Sequence, residues 1–337
     1  MDHNFCVSPL LQSLSLEFSQ CLPFERSCKL LNAALPAAEL SASQSQRLVQ
    51  YYGSMPEVEA VLRQASSGKP QEEQCSTEQA EEQVLYCQVD GGMLLTDDGY
   101  KETKVGRLFR AQALKLVSSQ EEQVDKRMKI EQSDYLAHLG NCKEFTARFD
   151  GLIKSHLEAG PEQVLLIITD GAPWIESWHQ EEYPEAVTIL DFYHAIKHLA
   201  DFAVMAFSSP ARRSEWLEQR KGEIRKGKLD DAIGAIDDKA TGRRASIKEA
   251  AARLIAYYEN NRYRMKYDEY RAKGYCIGSG AIESAISTVV QQRCKLVGQR
   301  WTDRVTAVLN LRALHMSAKK DKLVEIINQK MGLAFAA

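Results

Sequence analysis

Three acidic residues stand where a strand or a helix meets a turn, and their types suit one chemistry. Asp90 closes the strand-like run "VLYCQVD", Asp170 closes the apolar run "QVLLIITD", and Glu283 lies in "GSGAIESA" at the start of a late helix. Leu85, Cys87 and Val89 alternate with Tyr86 and Gln88, so Asp90 brings a carboxylate to the core-side end of a strand. An unpaired buried carboxylate is costly, and a partner is therefore expected. Two carboxylates held close together repel unless a proton or a cation separates them, and oxygen-only ligands suit Mg²⁺ or Mn²⁺. With Glu283 as third ligand the set would make a two-metal site that activates a water or hydroxyl and stabilises the leaving oxygen of a phosphodiester. A further strand, "EAVTILD", ends in Asp191, followed by His194 and His198 at the four-residue spacing of a helical zinc pair. Zinc is the less favoured use of that pair, since His198 reads more simply as a helix residue.

Holding these groups takes a sheet. Asp97, Asp98 and Gly99 form a tight-turn signal that joins "VLYCQVDGGMLLT" to "KETKVGRLFRAQAL" as an antiparallel hairpin, which explains Asp97 and Asp98 but leaves Asp90 unexplained. "SDYLAHLG" reads as a third strand, "CKEFTARFDGLIKSHLEAG" as an amphipathic helix, and the unbroken apolar run Val164 to Ile168 as a strand buried on both faces. The expected arrangement sets the first and fourth strands side by side, with Asp90 and Asp170 at one edge. From Ala195 to about Arg271 the chain reads as helical, and Pro210 is its last proline. The fold class is thus α/β, a mixed sheet with a long helical block and a helical N-terminal region.

The expected organisation is a helical region at 1–65, a linker at 66–83, a first part of the core at 84–194, a helical block at 195–273 and C-terminal core helices at 274–337. In the first region, "LSASQSQRLVQYYGSM" has Ser41 or Ser43 as N-cap. Its outline resembles a helix-turn-helix, and a small packing bundle fits equally well. The linker, "SSGKPQEEQCSTEQAEEQ", is polar and acidic.

Composition excludes several classes. The 337 residues are 44% hydrophobic, enough for a sizeable core, and no apolar run has the length of a membrane span. The N-terminal stretch lacks a basic region followed by an apolar core and cleavage site, so a cytoplasmic location is expected. None of the eight cysteines forms a CxxC pair, which argues against a disulfide framework or a zinc knuckle. The net charge of −3 conceals local basic faces in "ARRSEWLEQRKGEIRKGK" and between Arg293 and Arg312 that suit a polyanion.

The ordered set "VDGG", "ITDGAPWI", "LDFYHAIKHL" and "IGSGAIESA…GQRW" resembles the DDE transposases of bacterial insertion sequences, in particular ISKra-type members related to the Mutator-like group. The resemblance runs from "LPFERSCKLL" to "RWT". It implies a ribonuclease H-like fold with a helical insertion between the second aspartate and the glutamate. It also implies Asp90, Asp170 and Glu283 as catalytic ligands to two Mg²⁺ or Mn²⁺ ions per site. Asp191 and His194 match the family's "C/D-x-x-H" signature, with a supporting or DNA-contacting role. The implied partners are double-stranded DNA, at element ends and target, and further copies of the chain, with no membrane.

Beside that resemblance stand the basic residues. Arg293, Lys295 and Arg300 follow Glu283 and are candidates for phosphate contact, as are Arg212, Arg213, Lys221 and Arg225 in the helical block; for any one of them a solvated helix face explains the charge nearly as well. Trp301 reads first as a packing residue and second as a base-stacking one. The functional expectation is a transposase that cleaves and joins DNA strands by metal-assisted phosphoryl transfer. The alternatives are a truncated or domesticated DNA-binding relative and a ribonuclease H-like nuclease. An aspartyl-phosphate phosphatase is disfavoured, because "VDGG" lacks a second aspartate two residues after the first.

Overall fold

The computed structural model describes residues 5–66, 83–116, 128–159, 163–278 and 280–332, so the expected linker lies, apart from its end residues, outside the described residues. In chain order the chain forms α1 (Pro9–Cys21), α2 (Phe24–Ala34), α3 (Ala42–Gly53), α4 (Pro56–Leu62), β1 (Val84–Thr96), β2 (Gly99–Arg110), β3 (Leu114–Leu116), β4 (Met128–Ile130) and β5 (Asp134–Leu139). There follow α5 (Cys142–Glu158), β6 (Val164–Thr169), α6 (Pro173–Glu182), β7 (Val187–Leu190), α7 (Phe192–Ala206), α8 (Pro210–Arg225), α9 (Leu229–Ala240), α10 (Ala245–Asn261) and α11 (Tyr267–Ala272). Last come α12 (Gly280–Ala285), a π-wound turn (Ile286–Gln291), α13 (Gln292–Cys294), α14 (Val305–Met316) and α15 (Lys320–Lys330). The protein is mixed α/β. Strands β1, β2, β5, β6 and β7 make a mixed sheet, and β3 and β4 a separate ribbon. The chain divides into two compact units, Met1–Val164 with Ile282–Ala337, and Leu165–Ala281.

In the first unit the strands run β5-β2-β1, antiparallel throughout. Thr96 pairs with Gly99, so Asp97 and Asp98 form a two-residue turn, and Gly99 closes it at φ +100°, a conformation that suits glycine. Opposed residues in such a ladder share a face. Asp90 opposes Val105, which opposes Ala137, so these three lie on one face. That face packs on α14 and on the helix that opens at α12: Leu94, Val105 and Ala137 share a core with Ile282, Ala285, Ile286, Val289 and Leu311. The opposite face carries Gly106, where an added Cβ would lie 2.4 Å from the ring of buried Phe149 on α5. A bare backbone at Gly106 is what lets α5 lie flat on the strands.

Helices α1 and α3 belong to this same core, while Cys28 and Leu31 of α2 bury with Leu40 in a small cluster of their own. Leu16, Leu48 and Tyr52 are buried in the larger core, and α3 packs along α14. Of the two candidate caps, Ser41 is the one that caps α3, in a reciprocal capping box with Gln44.

In the second unit β6 and β7 are parallel, with Leu166 opposite Val187 and Thr169 opposite Leu190. The connection passes through α6, the usual crossover for parallel strands. Helices α7 to α11 pack on one another, α10 against both α7 and α9. Tyrosines tie the block to β7 and to the start of α7. Tyr267 Oη donates to Leu190 O at 3.0 Å, Tyr270 Oη to Thr188 O at 3.2 Å and Tyr258 Oη to Ala195 O at 2.9 Å. The first two bonds satisfy β7 carbonyls that would otherwise need another strand or water. Among the described residues no helix is long and apolar enough to cross a membrane.

Candidate active site

Each unit carries its own share of the expected acidic residues. In the first, Asp90 lies in the middle of β1 and not at its end, because pairing with β2 continues through Gly91 and Gly92 to Thr96; it is half-buried, and its Oδ1 accepts the amide of Gly91 at 2.6 Å. The two glycines after it serve opposite faces. On Asp90's face a Cβ at Gly92 would meet Ile286 Cγ2 at 3.4 Å, so the helix beginning at α12 runs close over the strand here. On the other face a Cβ at Gly91 would fall 2.7 Å from Glu102 Oε1, whose partner oxygen accepts from Lys104 Nζ at 2.6 Å. Glu283 is exposed and follows buried Ile282 on α12, so Asp90 and the helix bearing Glu283 lie on the same side of the strands.

That helix is unusual after its first turns. It winds as a π-helix over Ile286–Gln291, with Gln292 N bonded to Ser287 O. A π turn widens the helix and disturbs its carbonyl ladder, and such turns cluster at functional sites. Arg312 of α14 meets the displaced carbonyls: its Nε donates to Val289 O at 2.9 Å, its Nη2 to Thr288 O, and its Nη1 to Gln20 O at 2.6 Å.

In the second unit Asp170 ends β6, and its Oδ1 accepts the amide of Ala172 at 2.9 Å. The chain turns away through Gly171 at φ +93°, a left-handed conformation, and Pro173 opens α6. Tyr257 Oη donates to the carbonyl of Asp170 at 3.3 Å and so clamps the loop from the helical block. Burial raises the Tyr257 phenol well above its ordinary range; Arg264 opposes the shift, and Asp170 and Asp191 add to it. His198 lies against Tyr257 with ring centroids 4.6 Å apart and the planes tilted by 51°. Its pKa is lowered by burial and by His194, with Asp170 among the groups pulling the other way.

Residues 34–330 match the model of an uncharacterised protein family, UPF0236. The chain belongs to this family. No curated protein matches the chain.

In this UPF0236 chain burial speaks against two of the expected contacts. Arg293 does not face solvent: it is 1% exposed, its Nε donates to Ser19 O at 2.8 Å, and its guanidinium lies 5.0 Å from the Phe24 ring centroid and 5.1 Å from that of Trp301. A phosphate contact is thereby ruled out for Arg293, because its tertiary neighbours enclose it. Asp191 is 2% exposed and caps α7, accepting the amide of Tyr193 at 2.8 Å, so burial excludes a direct DNA contact there as well. Trp301 packs, with Nε1 donating to Cys294 O at 2.9 Å. Lys295, Arg300 and Arg212 are exposed, while His194 and Arg213 are half-buried.

The rings of His194 and His198 meet edge to face at 4.9 Å. Among the described residues no three His, Cys, Asp or Glu side chains stand together as ligands for one ion. Sequence reasoning missed Tyr257, whose hydroxyl is placed by α10, and it missed the support beneath the Asp170 loop. There Arg264 pairs with Glu176 at 2.5 Å and reaches Thr169 Oγ1 at 3.5 Å. The only signal was a cluster of aromatic and basic residues, "AYYENNRYRMKY", whose helical spacing reads equally well as packing.

Proposed function

We propose that this chain is a DNA strand transferase of insertion-sequence type, with a ribonuclease H-like catalytic fold. Asp90, Asp170 and Glu283 are assigned as the ligands for two Mg²⁺ or Mn²⁺ ions. The observation that carries the reading is the placement of Asp90 on the face of β1 covered by the helix that bears Glu283. Asp90, in the middle of β1, and Glu283, on a late helix that covers that face, are two of the three acidic residues that the resemblance implies.

The donor set fits a hard cation. All three groups are carboxylates, and Asp90 and Asp170 each turn one oxygen onto a backbone amide just beyond them, which fixes carboxylate orientation without an ion. Carboxylates repel when no cation lies among them, and exposed Glu283 is the ligand with freedom to close. When bound, such ions supply charge neutralisation at the scissile phosphate and a more acidic attacking water or hydroxyl. The chain's own part is to orient the carboxylates, through the Gly91 and Ala172 amides and the Tyr257 clamp. It also offers cations to duplex DNA, exposed at Lys295, Arg300 and Arg212 and half-buried at Arg213. Double-stranded DNA, further copies of the chain and a cytoplasmic location complete the reading.

The test starts from the DNA beside the reading frame. Inverted repeats on both sides are expected, and a duplex carrying them should be nicked in Mg²⁺ or Mn²⁺ by the parent chain but not by Glu283→Gln. Equal cleavage by the variant would remove Glu283 from the site. Cutting of an RNA–DNA hybrid with no cutting of the repeats would favour the nuclease reading.

A further inference from the structure

Beyond Cys294 the chain makes a short projecting turn. Gln299 N donates to Leu296 O at 3.0 Å, Leu296 N to Gln299 Oε1 at 3.3 Å, and Gly298 takes φ +78°. Both ends of the turn are braced. Lys295 N donates to Gln291 O at 3.0 Å, Trp301 Nε1 to Cys294 O at 2.9 Å, and Trp301 N to Leu95 O at 3.1 Å, while Asp97 N donates to Trp301 O at 2.9 Å. At the tip Val297 is 106% exposed, more than any other large apolar side chain among the described residues, and Leu296 beside it is 38% exposed. Lys295 and Arg300 flank the tip, both exposed.

We propose that the turn from Lys295 to Arg300 is a wedge for duplex DNA: Val297, with Leu296 behind it, enters a base step while Lys295 and Arg300 hold the phosphates on either side. Apolar side chains that unstack a base step work in this way, with neighbouring cations supplying the affinity. A braced turn suits the task because its tip is ordered before binding. Two apolar side chains are too small a patch for a stable protein interface, which buries about 800 Å² per partner. They are also too few for a membrane-surface face. The wedge rests on the strand-transfer reading and adds to it a means of opening DNA near the cut.

The experiment uses the full chain and two duplexes of one sequence, fully paired or with one mismatched step, each carrying 2-aminopurine beside that step. The parent chain should bind the mismatched duplex about tenfold more tightly, because the unstacking cost of a few kcal/mol is partly prepaid, and should raise 2-aminopurine fluorescence in the paired one. Val297→Ser, at a fully exposed position, should keep the parent's circular dichroism and lose both effects. If Val297→Ser retains both while the parent binds and cleaves DNA, the wedge is overturned and the strand-transfer reading stands. If the parent binds neither duplex, both fail. In that case a change in self-association or in binding to anionic vesicles on Val297→Ser would reassign the turn to a protein or a membrane surface.

Discussion

Arg312 Nε donates to the carbonyl oxygen of Val289 at 2.9 Å, and this bond joins α14 to the π-wound turn that follows Glu283. The same guanidinium also serves Thr288 O and Gln20 O. Arg312 is 4% exposed, so its removal takes buried guanidinium donors from these carbonyls.

The consequence is measurable as stability. A buried polar group left unsatisfied costs about 1–3 kcal/mol, so Arg312→Ala should lower unfolding stability by roughly 3 kcal/mol or more. Urea denaturation of parent and variant checks this. A loss under about 1 kcal/mol would mean that the π turn is held by packing alone.

A second stability prediction comes from a helix crossing. At Gly53 of α3 an added Cβ would fall 2.3 Å from the carbonyl oxygen of Ala307 on α14, and both atoms sit on backbone that no rotamer change can move. Gly53→Ala gains helix propensity of about 1 kcal/mol but must push the helices apart. Overpacking costs about 1–3 kcal/mol, so a net loss is expected. A variant that melts above the parent would show that the crossing yields easily.

Much of the sheet was legible. Asp97, Asp98 and Gly99 announced the hairpin of β1 and β2, the unbroken Val164–Ile168 run announced β6, and Ser41, one of two candidate caps, announced the start of α3, because each signal is local. Arg293 was misread for the opposite reason. Its partner Ser19 O lies 274 residues away in the chain, and no local pattern separates an arginine enclosed by distant helices from one on a solvated face. The π winding at Ile286–Gln291 was also invisible, since six residues cannot distinguish a 3.6-residue period from a wider one. At the candidate site the aspartates and the glutamate stood out by chain position. Tyr257 did not, because its role comes from where α10 lies against the Asp170 loop.

Acid should weaken the first unit at one identifiable place. Asp134 is 2% exposed and accepts from Ser66 N at 2.8 Å and His156 Nε2 at 2.7 Å, with Lys319 Nζ 2.8 Å away. Burial alone would raise its pKa; His156 and Lys319 outweigh that and bring it down to about 2 from 3.8. A carboxylate whose pKa is depressed by folding contributes stability that is present above its unfolded pKa and is lost as pH falls through the folded one. The contribution, on the order of 2 kcal/mol, should therefore disappear between about pH 4 and pH 2. Denaturation of the parent and of Asp134→Asn across that window should show the gap between them closing as the pH falls. A constant gap would assign the effect to other carboxylates.

Salt dependence separates the basic residues that the fold exposes from the one it encloses. Neutralising a phosphate on B-form DNA releases counterions, and log affinity then falls against log salt with a slope of about 0.9 per contact. Lys295 and Arg300 are exposed on either side of the Leu296–Gln299 turn, so Lys295→Ala and Arg300→Ala should each make the slope shallower by about that amount. Preference among sequences should barely change, because phosphate contacts position a protein without reading bases. Arg293 lies between Phe24 and Trp301 and is enclosed, so Arg293→Met should leave the slope at the parent value. Filter-binding or anisotropy titrations of one duplex at several salt concentrations decide the matter. Unchanged slopes for Lys295→Ala and Arg300→Ala would move the DNA path to α8, where Arg212 is the exposed candidate. A shallower slope for Arg293→Met would require that this part of the protein open before it binds.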